Sequence, residues 1–414
     1  MKPPKPEMRF GLFYEHQMAR PWAEGAEEQL LRDALEQVEL ADRLGFDSVW
    51  EVEHHFLEEY SHSSAPEVFL AAASQRTKRM RLGHGIVQLP PNFNHPARVA
   101  ERISTLDLIS GGRVEFGTGE SASRIELEGF GIDPREKHDM WKEAVAQVAL
   151  MLSQSPYPGH AGKHFAMPAR NVLPKPVQRP HPPMWLACSN RRMIHTAAQL
   201  GLGALTFAFV DVAEAKHWVA DYYETFERDC TPIAQSVNPN IAMVTGFSIH
   251  DDPDEALRRG LEGFQFFGFA LAHYYLLGAH VPGRTNVWDL FKGNQIPMPG
   301  GSGGIGTPDQ VRENLRTFED AGVDQVVFIQ QGGNNRHADI CASLELFAAR
   351  VMPEFKARDA ARRAAKAARL APAIARALER RTVPPPRGDV EPVVPYGRNV
   401  ETGESYYGPE PPRA

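Results

Sequence analysis

Short apolar runs alternate along this chain with segments whose apolar residues recur every three or four positions. The first spacing marks strands and the second marks helices with one buried face. Residues 8–15 read as a strand. Leu31, Ala34, Leu35, Val38 and Ala41 then share one helical face, and Gly45 stands where a left-handed residue stops that helix. The unit repeats as strand 46–52 with helix 65–76, strand 80–88 with helix 96–109, and strand 113–118 with helix 136–152. After a Pro-rich connection over 155–183 it resumes as strand 184–188 with helix 191–200, strand 202–209 with helix 213–228, strand 241–249, and strand 323–330 with helix 338–351. Thr307, Pro308 and Gln310 carry a helix-start signature before the eighth strand, and Gly322 can close that helix. Strand–helix units in this order predict an α/β fold, a parallel (β/α)8 TIM barrel, with a doubly wound sheet as the rival.

Two stretches depart from the repeat. Residues 254–306 are too long for one unit, carry Phe264, Phe266, Phe267, Phe269, Tyr274, Tyr275, Trp288 and Phe291, and end in the run Gly300, Gly301, Ser302, Gly303, Gly304. They read either as a glycine-hinged lid or as an inserted helical subdomain with its own packing. Residues 356–414 form a C-terminal extension beyond a barrel domain of 7–355. It is basic and Ala-rich at first, predicting solvated helices broken at Pro372, then Pro-rich from Val383.

The composition narrows the function classes. Hydrophobic residues make up 42% and charged residues 23%, enough apolar surface to exclude a wholly disordered chain. No apolar stretch is long enough for a membrane span, and a net charge of -7 argues against a nucleic-acid partner. Cys188, Cys230 and Cys341 are far apart and show no CxxC spacing, which argues against a disulfide framework and against a metal site and suits a cytoplasmic protein. Only Lys2, Lys5 and prolines precede Met8, so no signal peptide is read.

A barrel places its chemistry at the C-terminal ends of its strands. The second strand ends in Glu51, Glu53, His54 and His55, a candidate acid/base group. Side chains alternate along a strand, so one histidine at most faces the barrel. Adjacent residues cannot easily share one ion, so no metal is expected there. The fourth strand ends in Gly117, Thr118, Gly119, Glu120 and Ser121, small enough for a flat ligand or a phosphate to approach, although a tight turn explains the GxG equally. The fifth ends in Cys188, Ser189, Asn190, Arg191 and Arg192 before a helix, a phosphate cradle or a helix cap with solvated arginines. The eighth ends in a polar run, Gln330, Gln331, Gly332 and Gly333. Phosphate-loop, serine-hydrolase and zinc-protease motifs are absent, and no third glycine completes a dinucleotide fingerprint.

At these residues the sequence resembles the bacterial luciferase-like flavin monooxygenase family. The likeness lies in Gly45 to Trp50 with Glu53-His54-His55-Phe56, in Arg81-Leu82-Gly83 to Leu89-Pro90, in His95 to Glu101, in Leu106 to Arg113, in Lys175 to Pro183, and in Leu346-Phe347 to Pro353; it covers about residues 8–355. The resemblance implies reduced FMN as cosubstrate, supplied by a separate flavin reductase. It implies dioxygen and a peroxyflavin that oxidises a small organic substrate, which the aromatic segment suggests is apolar. It places the catalytic base at His54 and a lid before the eighth strand. It points to Gly85, Ile86, Gly119, Glu120, Ser121, Cys188, Ser189 and Arg192 as cofactor-binding residues, with a non-prolyl cis peptide at Gly85–Ile86. It also implies a homodimer through the second and third helices, around Ala71, Ala72 and Ala73 and the face over 100–109.

Departures from the family pattern qualify this. Gly119 replaces a reactive cysteine and Glu120 a phosphate-binding arginine, and a second phosphate-side arginine falls near His138. Ser189 is kept and Arg192 replaces a threonine, so Arg192, with Arg191, is expected to supply the positive charge lost at Glu120, whose carboxylate should point away from a phosphate. With the cysteine and a partner subunit not evident, light emission is not expected. A deazaflavin-dependent hydride-transfer oxidoreductase of the same barrel and a non-catalytic flavin-binding protein remain as alternatives.

Overall fold

The computed structural model describes residues 8–206, 212–294, 303–382, 384 and 401–403. The barrel strands are β1 (Arg9–Tyr14), β2 (Ser48–Glu51), β3 (Arg81–His84), β4 (Val114–Thr118), β5 (Met184–Cys188), β6 (Gly203–Thr206), β7 (Ile241–Thr245) and β8 (Gln325–Ile329). All neighbours pair in parallel in the closed order β1-β8-β7-β6-β5-β4-β3-β2. Each end of β1 therefore meets a neighbour: Phe10 stands opposite Val326 of β8, and Leu12 opposite Val49 of β2. The doubly wound alternative is excluded by this closure.

The helices around the strands are α1 (Ala26–Leu44), α2 (Pro66–Arg76), α3 (Pro96–Ser110), the short α4 (Arg124–Gly129), α5 (Lys137–Ser153), α6 (Arg191–Leu200) and α7 (Val212–Asp229). Then come α8 (Pro253–Ala272), α9 (Val287–Gly293), α10 (Pro308–Ala321), α11 (His337–Arg350), α12 (Met352–Lys356) and α13 (Asp359–Glu379). Their ends follow the expected signals. Gly45 closes α1 in the left-handed conformation with φ 94°, and Thr307 and Gln310 form a reciprocal capping box at α10.

Side-chain alternation separates two cores. Phe10, Leu12, Tyr14, Val49, Leu82, Phe116, Leu186 and Cys188 pack outward against the helices. Phe13, Trp50, Val52, Trp185, Leu205, Val244, Val327 and Ile329 fill the barrel. Trp50 and Trp185 meet edge to face there, 5.2 Å apart. Glycines on neighbouring strands make the room: a Cβ on Gly83 would lie 2.3 Å from the Trp50 ring, and one on Gly203 would lie 2.4 Å from Trp185. Large and small residues thus interlock within each layer of the barrel.

Two expectations are corrected, and a third is described only in part. The seventh strand does not run unbroken over 241–249. It leaves the barrel at Gly246, against which the Phe264 ring packs, and Phe247–Ile249 pairs instead with Gly304–Gly306. The expected strand over 202–209 is described only to Thr206; 207–209 lie outside the described residues, as do Gly300, Gly301 and Ser302 of the glycine run. The C-terminal extension is not a pair of solvated helices. One helix, α13, runs through Pro372 and buries Leu370, Ala373 and Ala377. Its cations meet groups at the N-terminal rim of the barrel: Lys366 Nζ lies 2.7 Å from Asp324 Oδ1 and 2.6 Å from Asn240 Oδ1, Arg362 pairs with Glu319, and Arg369 Nη1 lies 2.7 Å from Glu227 Oε1. Lys366 and Arg369 also flank the Tyr223 ring.

The aromatic segment both packs on itself and covers the opposite, C-terminal mouth. Phe266 meets Trp288 and Phe291 at 4.8 and 5.5 Å, while Phe267 reaches Phe13 and Tyr60 at 6.5 and 5.4 Å. Two adjacent carboxylates after β2 hold it down. Glu58 accepts from the Gly283 N–H at 2.7 Å and lies 3.2 Å from His280 Nε2. Buried Glu59 accepts from the N–H groups of Val287, Trp288 and Arg20 at 2.5, 3.1 and 2.9 Å.

Candidate active site

Backbone strain concentrates at this mouth. The four non-glycine residues with left-handed φ among those described are His16, Phe56, Ser121 and Gln331, and they follow β1, β2, β4 and β8. Such conformations persist where surrounding contacts hold them, commonly at functional sites.

His54 continues the inward parity of Trp50 and Val52, so its imidazole enters the barrel mouth, where it is buried. Its Nδ1 lies 3.0 Å from Glu126 Oε1 of α4, and its Nε2 lies 3.8 Å from Glu15 Oε2 beyond β1. From the covering segment, the Tyr275 hydroxyl sits 3.2 Å from Nδ1 and 3.4 Å from Nε2. Burial alone would push the His54 pKa down. The carboxylates of Glu126 and Glu15 outweigh burial and raise it to about 9. Conversely, burial raises Glu126, but His54 overrides it and holds that carboxyl below the usual range. Ser121 Oγ (2.6 Å) and the His55 N–H (2.9 Å) donate to Glu126 as well.

Glu15 is the group that titrates near neutrality. Burial lifts it to about 7 against the opposing pull of His54 and of hydrogen bonds from Tyr60 and Ser61. Its Oε1 accepts from the Tyr60 hydroxyl at 3.0 Å, while its Oε2 is buried with no hydrogen-bond partner. A second buried pair lies beside it: His16 Nε2 is 2.8 Å from Glu51 Oε1, and Ser63 Oγ donates to the same carboxylate. His55 turns away, its Nε2 3.2 Å from Glu53 Oε1 and its ring against Phe93 and Phe130.

The other expected site residues surround this cluster unevenly. Gly85 and Ile86 follow β3. The cis bonds among the described residues all precede proline, so the Gly85–Ile86 peptide is trans, the form favoured by about 3 kcal/mol for a non-prolyl bond. Ile86 covers Gly119, where an added Cβ would lie 2.2 Å from its Cδ1; a cysteine there would displace Ile86. Glu120 turns to Lys137 Nζ at 2.9 Å and His138 Nδ1 at 2.7 Å. Cys188 packs outward, its thiol donating to Leu186 O at 3.3 Å and pushed up by burial; only its backbone is left for a ligand at the mouth. Ser189 and Arg192 are exposed at the start of α6, where Asn190 caps the Met193 N–H at 3.1 Å. Arg191 is committed to Asp221 at 2.8 Å, which leaves Arg192 as the guanidinium facing solvent beside that helix start.

A flavin fits these residues. Glu15 Oε2, Gln88 Oε1 and Gln330 Oε1 are buried acceptors without partners at the ends of β1, β3 and β8, and a reduced flavin ring carries N–H donors for such acceptors. Ser189, Arg192 and the first-turn N–H groups of α6 would hold the phosphate.

A sequence model of the luciferase-like monooxygenases matches residues 8–325. The chain belongs to that family. Among its relatives, this luciferase-like chain is 32% identical over 198 residues to the oxygenase component of flavin-dependent trigonelline monooxygenase from Acinetobacter baylyi, covering 47% of this chain and 52% of that protein. It spans about half the length of the first curated relatives it matches. Among solved structures it resembles monooxygenase RslO1 from Streptomyces bottropensis (26% identity, TM-score 0.70, 84% of this chain and 100% of that one). An F420-dependent secondary alcohol dehydrogenase shares the fold at 19% identity, with TM-score 0.65 and 84% and 99% coverage. No helix among the described residues is long and apolar enough to cross a membrane.

Three site residues escaped the sequence reading, Glu15, Glu126 and Tyr60, and Tyr275 was read only as one aromatic of the 254–306 segment. Parity offered one signal, since Gly11, Phe13 and Glu15 share the inward face of the first strand. Glu126 lies in a short helix with no strand-end position, and nothing in the sequence marks it.

Proposed function

We propose that this protein is the oxygenase component of a two-component flavin monooxygenase, which takes reduced FMN from a separate reductase and uses dioxygen to oxidise a small apolar organic substrate. The observation that carries the reading is the buried His54 between Glu126 and Glu15, capped by Tyr275, at the barrel mouth of a luciferase-like chain. Bound reduced FMN would supply the electrons that activate dioxygen. The chain's own part is to bind, shield and move protons. His54, raised to about 9, is an imidazolium at neutral pH and donates a proton in this closed arrangement. Glu15, near 7, is matched to accepting one. His54 becomes a base when the neighbouring carboxylates that raise it are neutralised. Phe267, Tyr60 and Tyr274 give the substrate side its apolar surface and exclude water. Exposed Val68, Leu108 and Ile109 on α2 and α3 support pairing of two copies through those helices.

The test is equilibrium binding of reduced FMN and of a reduced deazaflavin, followed by admission of dioxygen to the bound flavin. Preference for reduced FMN, with flavin oxidation by dioxygen altered in His54→Asn, supports the reading. Preference for the deazaflavin, with no oxygen reaction, moves the chain to hydride transfer. Arg192→Ala should weaken FMN binding by at least about tenfold; unchanged affinity removes Arg192 from the phosphate site.

A further inference from the structure

We propose that α1 and α11 carry a binding site for a divalent transition-metal cation of the zinc type, built from Asp33, Glu36, His337 and Cys341. The site lies on the outside of the barrel, where closure sets the helices that follow β1 and β8 side by side. Asp33 and Glu36 are three residues apart on α1, and His337 and Cys341 are four apart on α11, so each pair shares one helical face.

Asp33, Glu36 and His337 already bring their donor atoms together, and Cys341 adjoins them through the His337 ring. Around a tetrahedral zinc ion, bond lengths of about 2.0–2.3 Å put N and O donors about 3.4 Å apart and N and S donors about 3.6 Å apart. His337 Nε2 lies 3.5 Å from Glu36 Oε2 and 3.7 Å from Cys341 Sγ. Donor atoms of Asp33, Glu36 and His337 all fall within 4.8 Å of one another; Asp33 Oδ1 is 3.8 Å from His337 Nδ1, so its side chain turns toward Nε2 to share an ion with Glu36. Two carboxylates, an imidazole and a thiol form a mixed hard and soft set suited to a borderline ion. Both carboxylates face the His337 ring, Asp33 at Nδ1 and Glu36 at Nε2.

The histidine is also held from behind. Gln37 is fully buried; its Nε2 lies 3.1 Å from His337 Nδ1 and its Oε1 accepts from the Tyr14 hydroxyl at 2.9 Å. Coordination through Nε2 needs a proton on Nδ1. The Gln37 carboxamide can turn its oxygen to that N–H and its nitrogen to the Tyr14 oxygen, keeping both contacts. Cys341 binds as thiolate, releasing one proton to solvent as the metal–sulfur bond forms. A bound ion then clasps residues some 300 positions apart, tying the first barrel unit to the last.

The experiment titrates the metal-free full chain with Co²⁺ and with Zn²⁺. Expected are a thiolate-to-cobalt charge-transfer band that is absent in Cys341→Ser, an affinity for Zn²⁺ lowered at least about 100-fold in His337→Ala, and a higher melting midpoint with Zn²⁺ in the wild type only. Circular dichroism checks that the variants fold. Asp33→Asn on the helix surface, expected to weaken Zn²⁺ about tenfold, serves if His337→Ala does not fold. A cobalt complex without the sulfur band, or variants that bind Zn²⁺ within threefold of the wild type, overturns the proposal.

Discussion

Replacing Glu126 with glutamine tests the electrostatics of the site directly. The substitution keeps an oxygen acceptor for the His55 N–H and removes one negative charge 3.0 Å from His54. In the intact site His54 is raised from 6.5 to about 9. A rise of that size corresponds to about 3 kcal/mol of preference for the imidazolium in the folded state. Because the folded pKa is the higher one, that contribution is complete below pH 6.5 and is lost as the pH climbs through 9. Without the Glu126 charge, the largest of the influences that raise His54 is gone and its pKa falls back. Glu15 titrates in both proteins, so its own loss of stability as pH rises through 7 largely cancels in the comparison. Denaturant unfolding of wild type and Glu126→Gln across pH 6 to 9.5 should then show a deficit of about 2–3 kcal/mol at pH 6 that shrinks steadily towards pH 9.5. A deficit that stays flat over this range would mean that Glu126 does not hold His54 charged.

Three further outcomes follow from the packing. Gly83→Val drives a branched side chain into the Trp50 ring, whose Cε3 lies 2.3 Å from the ideal Cβ position, and should cost about 1–3 kcal/mol in denaturant unfolding; an unchanged midpoint would show that the barrel interior has slack. Glu59→Ala removes the acceptor of the Val287 and Trp288 N–H groups, so tryptic cleavage at Arg284 and Lys292 should accelerate at least about tenfold, and equal cleavage rates would leave the covering segment anchored elsewhere. Lys366→Met strips buried Asp324 of its ammonium partner and should destabilise by about 3 kcal/mol while flavin affinity at the opposite end is unchanged; a loss in flavin affinity without loss of stability would contradict that separation.

The units around the barrel were readable where a helix carries one apolar face and ends on a recognisable residue, as α1 does with Ala34, Val38 and Ala41 before Gly45. Parity along β2 limited the inward histidines to one, and the family resemblance selected His54, which the structure places on the side of Trp50 and Val52. The same rule stops at strand ends, and the site is completed beyond them: Glu126 arrives on α4, and Tyr275 from the covering segment more than 200 residues on. The charge of His54 was not readable at all. A histidine at a strand end has an ordinary pKa until its neighbours are known, and here two carboxylates move it well above neutrality. The basic C-terminal helix misled for a related reason. Arginine and lysine spacing is identical whether the partners are water or buried carboxylates, and Glu319, Asp324 and Glu227 are distant in sequence. The spacing of Leu370, Ala373 and Ala377 was the available sign that one face would be buried. Distance also concealed the Asp33, Glu36, His337 and Cys341 cluster, since each half is an unremarkable pair on its own helix.

The contacts of α13 set an order of events in synthesis. A chain emerges from its N-terminus and its early parts fold first. All eight strands therefore leave the ribosome before Arg362, Lys366 and Arg369. Until those residues arrive, the floor of the barrel presents Asp324 without its ammonium partner and Glu319 with Arg358 alone, and the apolar surface that Leu370, Ala373 and Ala377 will cover is open. A chain that stops short, or is clipped ahead of Asp359, carries that acidic and apolar floor permanently exposed. A truncated chain thus differs from one that includes α13 by an exposed apolar floor at the N-terminal rim of the barrel.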